Sequence, residues 1–229
     1  MLDRPSPSTD LMHTATAAPL VMLPGTLSDA RLFGAVLNHL DARATVPALD
    51  GAVSAAAVAH LILAQSPDRI SLCGFSLGAI VALEIIAQAP HRVERLALIG
   101  CNPGVLSADA AAARAALDRA DFVSAEDPEL AHSMAADASD DSWQRQTAIT
   151  LSRADSRPRL SSIGVPTLVI CGAGDRICPP EMSREIAAAI PGARLAIIAR
   201  AGHYVTLEQP ERVADELAAW LAMPANPMH

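Results

Sequence analysis

Six short apolar runs, at residues 20–23, 45–49, 69–73, 96–100, 167–171 and 195–199, constrain this chain more than any other feature. Each is rich in valine, isoleucine or leucine and is followed closely by glycine, proline, asparagine or aspartate. A run without polar alternation is what a strand covered on both faces looks like, and such strands belong to parallel sheets. Between the runs, residues 30–41, 53–65, 77–89, 181–190 and 210–222 carry apolar side chains at helical spacing. Pro90, Pro191 and Pro210 fall at the edges of these stretches, where proline is tolerated. Strand and helix alternate, so the expected class is α/β: a mostly parallel sheet of about six strands with helices on both faces.

The rhythm breaks at 103–159, which holds only helical pieces, at 108–120, 129–137 and 143–153. An excursion of this size between two strands is too long for an ordinary connection and suits a lid or binding segment. A helical cap is the expectation, with extra helices covering one face of the sheet as the plainer alternative. The expected organisation is a disordered N-terminal tail at 1–18, an α/β core from 19–102 and 160–223, the cap at 103–159, and a short tail at 224–229. The first eighteen residues are polar and proline-bearing, without the basic start and apolar stretch of a secretory signal. No uncharged apolar run approaches the ~20 residues that span a bilayer. A cytoplasmic protein that engages no membrane is expected.

Composition excludes several chemistries. The chain has 229 residues, 51% of them hydrophobic and 18% charged, enough for a substantial core without covalent staples. All 17 basic residues are arginine. A P-loop, a pyridoxal Schiff base and a lysine aldolase each need a lysine that this chain lacks. A net charge of -8 with scattered arginines argues against a nucleic-acid partner. Cys73, Cys101, Cys171 and Cys178 form no C-x-x-C pair and have no ligand-spaced neighbours, so free buried thiols are expected rather than a disulfide or a metal site.

The segment Gly74-Phe75-Ser76-Leu77-Gly78 lies directly between an apolar run and a helical pattern. Turning from strand to helix so sharply strains the backbone at the serine, and flanking glycines remove side chains that would clash. Ser76 is then presented at the carboxyl edge of the sheet, at a helix N-terminus that favours developing negative charge. A serine hydroxyl needs a base, and His203, in Ala201-Gly202-His203-Tyr204 after the last apolar run, is delivered to the same edge. The remaining histidines lie in tails (His13, His229), on helix patterns (His39, His60, His91) or in the insertion (His132). Asp175, after the run 167–171, supplies a carboxylate to orient the imidazole. Asn102, after the run 96–100, cannot be that acid, and Gly172-Ala173-Gly174 fails as a dinucleotide fingerprint because its third glycine position holds Ile177.

These motifs resemble the α/β-hydrolase family from about residue 20 to residue 221. The stretch from Val165 to Gly172, with Asp175 and Pro179-Pro180, is similar to the family's acid-bearing strand and turn, and Gly202-His203 with Glu208-Gln209-Pro210 is similar to its histidine loop. The resemblance implies a triad hydrolase of Ser76, Asp175 and His203 with a helical cap, needing no metal or organic cofactor. The family's His-Gly turn after the first inner strand is here Leu23-Pro24-Gly25-Thr26, without the histidine. By similarity the oxyanion hole would use the backbone N–H groups of Thr26 and Leu77. The N-terminus is too short and polar for the antiparallel strand pair that often opens the family's sheet, hence six strands rather than eight.

The expected activity is hydrolysis of a small carboxylic ester through an acyl-enzyme on Ser76. Enol-lactonase, thioesterase, carbon-carbon bond hydrolase and cofactor-free perhydrolase share the fold and triad, and a non-catalytic ligand receptor is the reading from a different class. Phe122, Met134 and Trp143 of the insertion are the expected pocket residues. Charges throughout the insertion and a 3% aromatic content point to a small cavity under a solvated cap, with short or medium acyl esters preferred over lipids. The sequence carries no signal of oligomeric state.

Overall fold

A computed structural model describes residues 18–225, so most of both expected tails, with His13 and His229, lies outside the described residues. Among the described residues six strands form one sheet: β1 (Leu20–Leu23), β2 (Ala44–Thr45), β3 (Ile70–Phe75), β4 (Val93–Ile99), β5 (Thr167–Gly172) and β6 (Arg194–Ile198). Their order is β2-β1-β3-β4-β5-β6, and every neighbouring pair is parallel. The chain moves outward from β1 to β2, then returns past β1 to β3. The order therefore reverses between β1 and β3, and the crevice beyond the carboxyl ends of such strands is where open α/β sheets hold ligands.

Helices cover both faces. On one lie α1 (Gly34–Leu40) and α9 (Pro210–Leu221); on the other lie α2 (Ala55–Gln65), α3 (Leu77–Gln88) and α7 (Pro180–Ala189). Successive strand residues feed opposite cores, as a period of two requires. Val21, Leu72, Leu98 and Val169 join the α2–α3–α7 side, whereas Met22, Cys73, Ile99 and Ile170 join the α1–α9 side. Complete burial of one such side chain stabilises by about 1.5–3 kcal/mol, and β1, β3 and β5 are buried at every position. Polar ties fix the helices to the sheet. Trp220 of α9 donates from Nε1 to the Pro166 carbonyl at 3.1 Å, and the Arg92 guanidinium donates to the carbonyls of Leu63, Ser66, Pro67 and Asp68 at the end of α2.

The sheet edges depart from expectation. The run 45–49 forms a strand only at Ala44–Thr45, because Pro47 has no N–H to give to a ladder. At the other edge Arg194 and Leu195 of β6 are exposed, so this strand is not covered on both faces. The stretch 30–41 opens as a 3-10 turn, Ala30–Phe33, whose N-cap Asp29 accepts from the Arg31 N–H. A short helix α8 (Val205–Glu208) precedes α9, and the two are separate because Pro210 cannot continue a helix from Gln209.

Between β4 and β5 the chain forms α4 (Ala108–Ala116), α5 (Glu129–Asp137) and α6 (Asp140–Ser152), and no strand. The expected helix 108–120 stops at Leu117, and Arg119–Asp121 is a separate 3-10 turn. The third helix starts earlier than residue 143 because Ser139 caps it, accepting from the Ser142 N–H. Arg119 closes the C-terminal end of α5, donating to the Ala135 and Ala138 carbonyls at 2.9 Å each.

Candidate active site

Ser76 is the single residue between β3 and α3. Its backbone lies at φ +52 and ψ -113, a left-handed conformation that a side chain adopts only when its surroundings impose it. Those surroundings are visible. A Cβ on Gly78 would run into the Leu23 carbonyl of β1, and one on Gly74 into the Gly78 carbonyl, so the elbow fits only with glycine at both places. The Ser76 N–H donates to the Ile99 carbonyl of β4 at 2.9 Å. Although Ser76 is the N-cap of α3, its hydroxyl takes no part in capping.

That hydroxyl lies 3.0 Å from His203 Nε2, and His203 Nδ1 lies 2.9 Å from Asp175 Oδ2. A carboxylate can only accept, so Nδ1 carries the imidazole proton and Nε2 turns a lone pair to the serine. The other oxygen of Asp175 accepts from the N–H groups of Ile177 and Cys178, at 2.9 and 2.8 Å. With 3% of Asp175 exposed, the carboxylate is held in one orientation away from water. The histidine loop is braced by Glu208 of α8, whose Oε2 accepts from the Gly202 N–H at 2.7 Å. Phe75 packs against the imidazole with ring centroids 5.0 Å apart. Gly100 ends β4 at φ +55, and a Cβ there would come 3.2 Å from His203 Cε1 and 3.5 Å from Asp175 Oδ2. Glycine thus lets the imidazole and its carboxylate settle onto the sheet edge. His39, His60, His91 and His132 are exposed, and none of them borders the cavity above these three groups.

The three groups meet under a cavity of about 190 Å³, bordered from the core by Thr26, Ser76, Leu77 and His203 and from the insertion by Leu106, Arg114, Phe122, Thr150 and Arg153. Leu77 is the first residue of α3, so its N–H has no acceptor within the helix. Thr26 precedes Leu27, a non-glycine residue at φ +54 whose N–H donates to Gln146 Oε1 of α6 at 2.8 Å. Asn102 borders the same cavity with its Oδ1 engaged by the Gly104 N–H at 2.9 Å.

The expected pocket residues divide. Phe122 borders the cavity. Trp143 does not; its ring sits 5.3 Å from that of Phe122, and the Arg114 guanidinium lies 4.3 Å from its centroid. Met134 is a correction: it is buried on α5 and faces a separate hollow with Leu27 and Gln146, because α5 packs beside the first turn rather than over Ser76. Sequence reasoning missed Gly100, Gln146, Arg114 and Arg153. Gly100 closes an apolar run and carried a readable signal of a tight turn, whereas the other three are polar residues in a charged insertion, with nothing local to mark them as inward-facing. Burial pushes the Tyr204 hydroxyl beside His203 up to about 12. Among the described residues no three His, Cys, Asp or Glu side chains gather as a metal site requires, and no helix is long and apolar enough to cross a membrane.

A parallel sheet with a serine elbow at its topological switch, joined to a histidine and a buried aspartate from later strand ends, defines an α/β protein of the hydrolase type. The chain belongs to the alpha/beta hydrolase family, whose model matches residues 18–216. It is 30% identical to the pimeloyl-[acyl-carrier protein] methyl ester esterase of Aromatoleum aromaticum, across 85% of this chain and 94% of that protein. It is 28% identical to the putative carbamate hydrolase RutD of Serratia proteamaculans, across 74% of this chain and 72% of that one. Among solved structures it superposes on an esterase from Exiguobacterium antarcticum with a TM-score of 0.74 at 25% identity, covering 90% of this chain and 92% of the esterase. It is thus a hydrolase of the alpha/beta family with esterases among its relatives.

Proposed function

We propose that the protein hydrolyses small carboxylic esters through an acyl-enzyme on Ser76. Ser76 Oγ attacks the ester carbonyl carbon while His203 Nε2 takes its proton, and the N–H groups of Thr26 and Leu77 receive the negative charge that develops on the carbonyl oxygen. Asp175 keeps the imidazole in the required tautomer and offsets its charge once protonated. The imidazolium then gives its proton to the departing alkoxide, and a water activated by the same imidazole cleaves the acyl-serine.

The observation that carries this reading is the unbroken relay from Ser76 to His203 to Asp175, at 3.0 and 2.9 Å, opening onto a cavity. A binding protein has no need of a strained serine whose hydroxyl is left out of helix capping and turned to an imidazole lone pair. The cavity of about 190 Å³ has the volume of roughly six waters at ~30 Å³ each, which favours short acyl chains. Its partner is accordingly a small-molecule ester. The four free, buried thiols suit a reducing cytoplasm. Lactone, thioester and carbon-carbon bond cleavage use the same relay, and a panel of such substrates ranks them against simple esters. The direct test is a fluorophosphonate probe: it should label Ser76 and no other residue, and Ser76→Ala should abolish esterase activity. An adduct elsewhere, or retained turnover in Ser76→Ala, would sink the mechanism.

A further inference from the structure

Two arginines border the cavity that holds Ser76, and neither forms a salt bridge with a carboxylate among the described residues. Arg114 projects from α4 and Arg153 follows α6 directly. Arg153 is 8% exposed; its Nε donates to the Gly104 carbonyl at 2.7 Å, but Nη2 has no acceptor among the described residues. Arg114 is half-buried, and its Nε and Nη2, which are shielded from solvent, likewise have no acceptor among the described residues. Its guanidinium carbon lies 4.7 Å from the Phe122 ring centroid and 4.3 Å from that of Trp143, so two aromatic rings fix the side chain in place. Desolvation without a facing carboxylate holds the Arg114 guanidinium down to about 10 and shifts Arg153 the same way.

A buried charge that no neighbour compensates is costly, and chains retain one where something else completes it. Two such cations on the wall of one small cavity, with in-plane N–H donors still available, match the two oxygens of a planar anion. No carboxylate among the described residues forms a salt bridge with either of them. Asp175 is engaged by His203 and two amides, and Asp127, which also borders the cavity, accepts from the Ser124 N–H at 2.8 Å through Oδ2. We propose that Arg114 and Arg153 form a carboxylate subsite, and that the substrate is a short ester bearing a free carboxylate, such as the monoester of a small dicarboxylic acid. This deepens the assignment of Ser76 as ester nucleophile and rests on it. It also sets the chain apart from an esterase selecting neutral esters, for which two guanidinium groups without a carboxylate partner on the wall of the same cavity would be a liability.

The experiment compares monomethyl with dimethyl glutarate as substrates. The expected kcat/KM ratio favours the charged monoester by at least about tenfold, and Arg114→Gln or Arg153→Gln lowers that ratio by a similar factor. Arg212→Gln, on the exposed side of α9, leaves the ratio unchanged. A wild-type ratio at or below one overturns the subsite, and the ester mechanism still stands if both esters are cleaved in a Ser76-dependent way. A monoester carrying its carboxylate on the alcohol side, methyl replaced by carboxymethyl, tells which half of the substrate the arginines hold. Binding gives an independent readout in Ser76→Ala: calorimetry should detect glutarate, with affinity weakened at least about tenfold by Arg114→Gln. No glutarate binding, or tighter binding of inorganic phosphate, overturns the carboxylate assignment. If an arginine variant does not fold, as circular dichroism would show, the wild-type ratio decides alone.

Discussion

At the scale of single residues the site depends on a few backbone positions and one proton. Asp175→Asn keeps the side chain's size but presents an N–H where Nδ1 must donate, which favours the unproductive imidazole tautomer. The expected loss in kcat is ~10⁴, with KM little changed, read from steady-state kinetics on a short ester; a loss below about tenfold would point to another acid. Gly78→Ala drives a methyl group into the Leu23 carbonyl, which cannot withdraw without disturbing β1 beside it. Overpacking of this kind costs about 1–3 kcal/mol, so a lower Tm should accompany loss of activity. An alanine variant with unchanged Tm and turnover would mean that the elbow is far looser than its contacts indicate. Ser76, His203 and Asp175 were legible in the sequence because each follows a strand end closely, where parallel topology gives a residue only one place to go. Arg114 and Arg153 were not legible. A charged residue on an alanine-rich helix reads as a solvated face, and only the packing of α4 and α6 over the cavity turns these two inward.

Among elements, the insertion between β4 and β5 does more than cover the sheet. Through Gln146, α6 accepts the N–H of Leu27, which follows Thr26 in the left-handed region. Gln146 therefore ties α6 to the turn that carries Thr26, whose N–H the proposed mechanism uses as an oxyanion donor. Gln146→Met retains volume but leaves the Leu27 N–H unpaired, at a cost of about 1–3 kcal/mol in stability. Loss of an oxyanion donor outright costs ~10²–10³ in kcat, and a misplaced one should cost less, so a fall of about tenfold in kcat without a rise in KM is expected. A rise in KM alone would make Gln146 a substrate contact instead. Element boundaries were partly legible. The five longer strands follow their apolar runs closely, but β2 is cut short by Pro47, and the last helical stretch is preceded by α8, which supplies Glu208 to the histidine loop. Periodicity finds an apolar face; it does not find a four-residue helix whose purpose is to brace a neighbour.

For the whole molecule, a parallel sheet with an apolar layer on each face followed from the alternation of runs and helices, whereas the strand order did not, since apolar runs of like composition carry no mark of which neighbour each pairs with. Where the insertion's side chains point did not follow, because that depends on contacts between distant segments, such as Gln146 with Leu27. The thiols buried in the two layers give a global readout. Burial pushes Cys73 and Cys101 up to about 12, Cys171 up to about 11, and Cys178 well above its ordinary value of 9.0. Groups raised on folding stabilise the folded chain below the unfolded value and cease to do so as pH rises through the folded one. The Tm should therefore fall as pH is raised from 9 toward 10. Thiol reagents should modify the cysteines only as the chain unfolds. Rapid alkylation of the native protein at pH 8, or a flat Tm across that range, would contradict the packing described.

The central claim is that an acyl group passes through Ser76. Mixing the protein with excess p-nitrophenyl acetate in a stopped-flow spectrometer, and quenching samples into acid for peptide mass analysis, measures this directly. The expected result is a burst of nitrophenolate approaching one equivalent per chain when deacylation is the slower step, with acetyl on the peptide containing Ser76. In Asp175→Asn the same adduct should form far more slowly. Steady turnover with no acetyl on Ser76 under any quench time, together with an adduct on another side chain, would contradict it.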